Sequence, residues 1–166
     1  MASRPSLSLK ARALQLLAQR EHSALELRRK LLAHARKHAA ETPEPGRQAR
    51  DAPPEVQAEI DALLSWLENG RHLSESRFVE SRLRARSSRY GNLRIRQELA
   101  QHGLRPSDEE NEALAASEFA RVRAVWSRKF GAPAEDAAGR ARQARFLAGR
   151  GFSAEVVARL LRDPQD

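Results

Sequence analysis

The chain has 166 residues, enough for one or two ordinary domains or for an array of small units that share neighbouring surfaces. Its 30 Lys and Arg against 22 Asp and Glu give a formal charge of +8 and a pI near 11.0, which favours a polyanionic or acidic partner. The absence of cysteine excludes disulfides, thiolate metal sites and a thiol nucleophile, and the scarcity of aromatic strand formers beside abundant Ala, Leu, Arg and Glu predicts an all-α protein. No stretch approaches the roughly 18 apolar residues of a membrane span, and residues 1–10 lack the apolar core of a signal peptide, so the expectation is a soluble, cytoplasmic chain.

Residues 1–8 are polar with Pro5 and read as a flexible N-terminus. Leu9, Ala13, Leu16 and Leu17 recur at helical spacing, and Ser23 with Glu26 forms an S-x-x-E capping box that opens a second helix with Leu27, Leu31 and Ala35 on its apolar face. Residues 9–35 thus form a first, partial helical repeat. From 36 to 54 the pattern dissolves around Pro43, Pro45, Gly46 and Pro53-Pro54, which predicts an insertion or linker. Periodicity returns with Val56, Ile60, Leu63, Leu64 and Leu67, and Gly70 stands where a left-handed C-terminal residue is expected. Phe78, Val79 and Leu83 predict a short helix ending near Ser87-Ser88, and Asn92 to His102 another, stopped by Gly103; residues 55–104 make the second repeat. Ser107, followed by Asp108, Glu109 and Glu110, caps a helix with Ala115, Phe119, Val122, Trp126 and Phe130 on one face and a break expected near Ser117. Helices over 134–150 and after Ser153 complete a third repeat, residues 107–162, with 163–166 as a tail.

The repeat is visible in the residues. Leu25-Glu26-Leu27-Arg28-Arg29-Lys30-Leu31 returns 68 positions later as Leu93-Arg94-Ile95-Arg96-Gln97-Glu98-Leu99. The second copy ends in Gly103-Leu104, and a weaker third copy ends in Gly151-Phe152.

Only 4 of the 30 cations are Lys, and Arg is the side chain suited to bidentate contact with phosphate or carboxylate. Arg28 and Arg29 in the first repeat, Arg82, Arg94 and Arg96 in the second, and Arg142 and Arg145 in the third are the candidate contacts. In a stacked array they would line one elongated surface; the competing reading is that each belongs to a separate solvated face. Tyr90, between Arg89 and Gly91 in a loop, is the candidate for base stacking, whereas Trp126 and Phe152 read as core. His34 and His38 have i,i+4 spacing but no intervening Glu and no third ligand nearby, and no phosphate loop, nucleophile elbow or dinucleotide fingerprint occurs. No catalytic residue, metal, cofactor or small-molecule substrate is expected, and a monomeric binding protein fits better than an enzyme.

These stretches resemble the RecX family, regulators of the RecA recombinase. The resemblance runs from about Ala11 to Arg162 with an interruption at 36–54. It rests on residues 13–23, on Glu26 to Leu31, on Arg77-Phe78 and Gly91, on Arg94 to Leu99 with Gly103-Leu104, and on Arg145-Phe146-Leu147 with Arg150-Gly151-Phe152. It implies three tandem three-helix repeats forming an elongated curved array. It also implies a non-enzymatic modulator, mainly an inhibitor, that lies in the groove of the RecA–DNA filament and limits its assembly or activity in recombination and the SOS response. Two departures stand out: Ser74-Glu75-Ser76 precedes Arg77-Phe78 where the family commonly has Asp, so Ser74 or Ser76 must cap that helix, and the first repeat lacks a Gly-apolar ending after Leu31. The alternative reading is a free-standing DNA- or RNA-binding regulator with helix-turn-helix-like units, and a scaffold for another acidic protein is a third.

Overall fold

The computed structural model describes residues 7–41 and 52–162; the side chains of residues 40 and 41 are outside that description. Among the described residues there are eight α-helices and no strand. They are α1 (Leu9–Gln19), α2 (Ala24–Glu41), α3 (Pro54–Asn69), α4 (Glu75–Ser87), α5 (Asn92–Ala100), α6 (Asp108–Phe130), α7 (Ala137–Gly149) and α8 (Ala154–Arg162). The chain separates into two compact units, residues 1–78 and 79–166, with the division inside α4.

The first unit is built by α1, α2 and α3. Ala13 and Leu16 of α1, Leu27 and Leu31 of α2, and Ile60, Leu64 and Leu67 of α3 form one buried core, closed by Leu73. Spacing alone places the helix carrying Ile60 in the second repeat, residues 55–104; in the structure its apolar face completes the core of α1 and α2. A two-helix hairpin leaves one apolar stripe open, and α3 is the element that covers it. Of the expected 36–54 linker, residues 36–41 finish α2 and 52–53 lead into α3, so the helix extends six residues past the expected end; residues 42–51 lie outside the described residues, as do 1–6 of the N-terminus and the tail 163–166.

The second unit holds a core of Val122, Val125 and Trp126 from α6, Leu147 from α7, and Phe152, Val157 and Leu160 around α8. Ile95 and Leu99 of α5 are fully buried. Helix α6 is continuous across Ser117, where a break was expected. The Ser117 hydroxyl donates to the Ala113 carbonyl at 2.8 Å, which satisfies it within the helix. Ser107 caps α6 in a complete capping box with Glu110, and Asp136 caps α7 through the Gly139 amide at 2.7 Å. Ser74 caps α4, its hydroxyl accepting from the Arg77 amide at 3.3 Å.

Three helices end in the same hydrogen-bond pattern. The Leu104 amide returns to Leu99 at 3.0 Å, the Phe152 amide to Leu147 at 3.3 Å and the His72 amide to Leu67 at 2.8 Å. Gly103 (φ 73°) and Gly151 (φ 80°) supply the left-handed residue in two of them. At the third, Gly70 has φ −77° and it is Arg71, at φ 57°, that turns left-handed. Gly70 is constrained by space: an ideal Cβ there would lie 2.9 Å from the His72 ring, which stacks on Trp66 at 5.5 Å.

Candidate functional site

The repeat fixes what each copy of the helical segment does. Leu27 and Ile95 are buried, as are Leu31 and Leu99, while Leu25 and Leu93 are both exposed. Arg28 and Arg96 also match. Arg28 of α2 pairs with Asp61 of α3, and Arg96 of α5 donates through Nε to Asn111 Oδ1 of α6 at 2.9 Å, so each reaches the next helix in its unit. These two candidate contact residues are therefore occupied in holding neighbouring helices. Arg82 is occupied too: it meets Glu98 of α5 at 3.3 Å, and Arg86 clamps the same carboxylate at 2.9 Å.

The remaining candidates are exposed. Arg29 on α2, and Arg142 and Arg145 on α7, are solvent-facing and carry no ion pair among the described residues. Arg94, also exposed, lies with its guanidinium 5.0 Å from the centre of the Tyr90 ring. Arg86 and Arg150 approach the same ring at 5.8 and 5.6 Å. Tyr90 is thus half-buried within three guanidiniums, a cation–π cluster at the turn between α4 and α5.

That turn is held by polar groups that no motif in the sequence marks. Glu118, buried in α6, accepts from the Asn92 amide at 3.0 Å and from the Ser153 hydroxyl at 3.2 Å, so one carboxylate caps both α5 and α8. Arg121, one turn on, donates to the Tyr90 carbonyl at 2.9 Å, to the Leu114 carbonyl at 2.9 Å and to Asn92 Oδ1. Burial pushes the Arg121 guanidinium below its usual range, and the Glu118 carboxylate opposes that shift. Glu118 and Arg121 sit at i and i+3 with no motif to mark them; the packing of α5 and α8 onto α6 buries Glu118 and half-buries Arg121.

In the first unit the corresponding turn carries His22. Its Nδ1–H donates to the Arg20 carbonyl at 2.9 Å, leaving Nε2 to accept from Lys30 at 3.0 Å. Burial lowers the His22 pKa below 6.5. Glu26 is raised by burial, but hydrogen bonds from Arg20 and Lys30 outweigh this and hold it at about 2. The His34 ring, considered above with His38, donates through Nε2 to the Leu7 carbonyl at 2.8 Å.

The fold and these sites define a class: a basic protein of tandem three-helix domains with a guanidinium cluster around Tyr90 at the α4–α5 turn. Residues 74–108 match the family described as RecX, second three-helix domain, and residues 116–161 that described as RecX, third three-helix domain. The chain is 47% identical over 160 residues to the regulatory protein RecX of Ralstonia nicotianae, covering 95% of this chain and 89% of that protein. It is 44% identical to that of Herminiimonas arsenicoxydans, with 96% and 94% covered, and 43% identical to that of Pseudomonas entomophila, with 90% and 86% covered. The chain belongs to the RecX family of regulatory proteins. Among the described residues no helix is long and apolar enough to cross a membrane.

Proposed function

We propose that this protein is a non-enzymatic modulator, mainly an inhibitor, of the RecA recombinase in the cytoplasm, binding the RecA–DNA filament and limiting its assembly or activity in recombination and the SOS response. The observation that carries this reading is the division of labour among the arginines. Arg28, Arg82 and Arg96 are spent on neighbouring helices, whereas Arg29, Arg94, Arg142 and Arg145 face solvent without a carboxylate among the described residues. Guanidiniums that no described carboxylate engages, repeated along helices, suit a partner that itself repeats, because several weak charge-assisted contacts then act together.

The test is DNA-dependent ATP hydrolysis by the cognate recombinase as this protein is titrated in, with DNA binding by the protein alone measured at the same salt. Inhibition at concentrations well below those that saturate DNA is expected. Inhibition that merely tracks DNA occupancy would favour a free-standing DNA-binding regulator instead. Reversing Arg142 and Arg145 to Glu is expected to weaken inhibition several-fold while circular dichroism stays helical; unchanged inhibition would remove α7 from the contact surface.

A further inference from the structure

A small pocket in the second unit lies beside Tyr90 and was not assembled by any spacing in the sequence. It has a volume of about 150 Å³ and is lined by Ser88, Arg89, Val125, Arg128, Lys129, Phe146 and Arg150. Three separate pieces of chain converge there: the α4–α5 turn, the last turn of α6, and the end of α7. Four of the seven residues are cationic and none is acidic, so no carboxylate of the lining neutralises the field inside it. Like charges crowd together at a cost unless an anion joins them, and a concave wall of guanidiniums is shaped for a tetrahedral oxyanion.

Arg150 connects the pocket to the aromatic cluster. Its guanidinium lies 5.0 Å from the Phe146 ring and 5.6 Å from the Tyr90 ring, and its Nη1 donates to the Arg89 carbonyl at 3.4 Å. Phe146 is itself fixed edge-on against Phe130 at 5.3 Å, with Lys129 5.9 Å from its centre. The apolar ring and Val125 give the pocket a wall for a sugar, while Tyr90 stands on the other side of Arg150. An anion seated here thus has an aromatic surface on each side of the arginine that holds it, an arrangement suited to a nucleotide within a strand.

We propose that this pocket holds one backbone phosphate of a single DNA strand, gripped by Arg89, Arg128, Lys129 and Arg150. It extends the filament reading, since the filament's DNA would be the strand held, but its test needs no recombinase and either can fail without the other. Binding of a fluorescein-labelled oligothymidylate by the full chain is measured by anisotropy across a salt series. Two charge-matched variants are compared: Arg128→Glu with Lys129→Glu in the pocket, and Arg105→Glu with Arg162→Glu, which are exposed and outside it. The pocket pair is expected to lose about tenfold more affinity than the outside pair, and its slope of log K against log salt to be shallower by about 0.7 for the lost phosphate. Equal losses in the two pairs would overturn the assignment. So would displacement of the oligonucleotide by polyglutamate as readily as by unlabelled oligothymidylate, because the pocket would then be reading charge rather than phosphate. Near-ultraviolet dichroism of the buried Trp126 confirms that each variant is folded, so a loss of binding is read at the pocket itself.

Discussion

Gly91 and Gly151 stand back to back in the second unit. The Gly91 amide donates to the Arg150 carbonyl and the Leu93 amide to the Gly151 carbonyl, both at 3.0 Å, so the α7–α8 turn satisfies donors at the start of α5. An ideal Cβ on Gly91 would fall far inside contact distance of the Gly151 carbonyl, and one on Gly151 would lie 2.6 Å from the Arg94 backbone nitrogen. The opposing atoms are backbone and cannot swing aside.

Replacing Gly91 with Ala is therefore expected to destabilise the second unit by about 2 kcal/mol or more, as overpacking against fixed atoms does. Gly149, at the end of α7, is the internal control: nothing lies within 4 Å of a Cβ built there. Gly149→Ala is expected to raise stability by about 0.5 kcal/mol through the smaller entropy of the unfolded chain. Urea midpoints of the two variants should move in opposite directions; a shift of the same sign in both would contradict the close approach.

Arg71 offers the reverse case. It occupies the left-handed position that Gly103 and Gly151 fill elsewhere, where a side chain costs about 1 kcal/mol or more. The Arg71 amide donates to the Glu68 carbonyl at 2.9 Å and the Arg71 carbonyl accepts from Arg77 Nη2 at 3.1 Å, and both bonds involve only its backbone. Arg71→Gly is expected to stabilise the first unit by about 0.5 kcal/mol once the added freedom of the unfolded chain is subtracted. Thermal melting would show it, and a lowered midpoint would mean that the Arg71 side chain contributes more than its backbone strain removes.

The helices were legible in the sequence because each start and stop is local chemistry: Ser107 with Glu110, Gly103, Gly151, and the 3.6-residue spacing of Val122 and Trp126 all act within a few residues of the chain. The buried faces of the repeat were legible for the same reason. What spacing could not convey is partnership between elements. Nothing near Ile60 says that it packs on Leu27 and Leu31; nothing near Arg28 says that Asp61 waits on α3, or that Arg29, its neighbour, has no such partner among the described residues. Arg89, Arg128 and Arg150 are 39 and 22 positions apart and meet only because α6 and α7 bring them to the α4–α5 turn.

Glu118 shows how much one unremarked residue can hold. Its carboxylate accepts from α5 and from Ser153 at the start of α8, and it lies near the half-buried Arg121 guanidinium. Glu118→Ala would strand these donors and leave Arg121 with less compensation. A loss of about 3 kcal/mol or more is expected, against about 1 kcal/mol for Ser153→Ala, which removes a single hydroxyl donor. Equal and small effects in chemical denaturation would mean that water replaces the carboxylate freely.

The first unit should respond to pH through His22. Burial lowers its folded pKa below the unfolded value of 6.5, so the unfolded chain binds the extra proton first. Stability contributed by the neutral ring is fully present above pH 6.5 and is lost as pH falls from there through the folded pKa. The structural reason is direct: Nε2 accepts from the Lys30 ammonium, and a proton on that nitrogen would replace the hydrogen bond with repulsion between two cations. Glu26 acts in a lower window, its folded pKa of about 2 against 4.5 giving stability that is retained above pH 4.5 and drains away toward pH 2. A urea midpoint followed from pH 8 to pH 3 is expected to fall in the wild-type chain below pH 6.5, and to fall less between pH 6.5 and pH 4.5 in His22→Gln, which cannot take up the proton. Identical pH slopes in the two proteins would place the origin of the acid sensitivity elsewhere, while a slope lost only below pH 4.5 would assign it to the carboxylate that Arg20 and Lys30 hold.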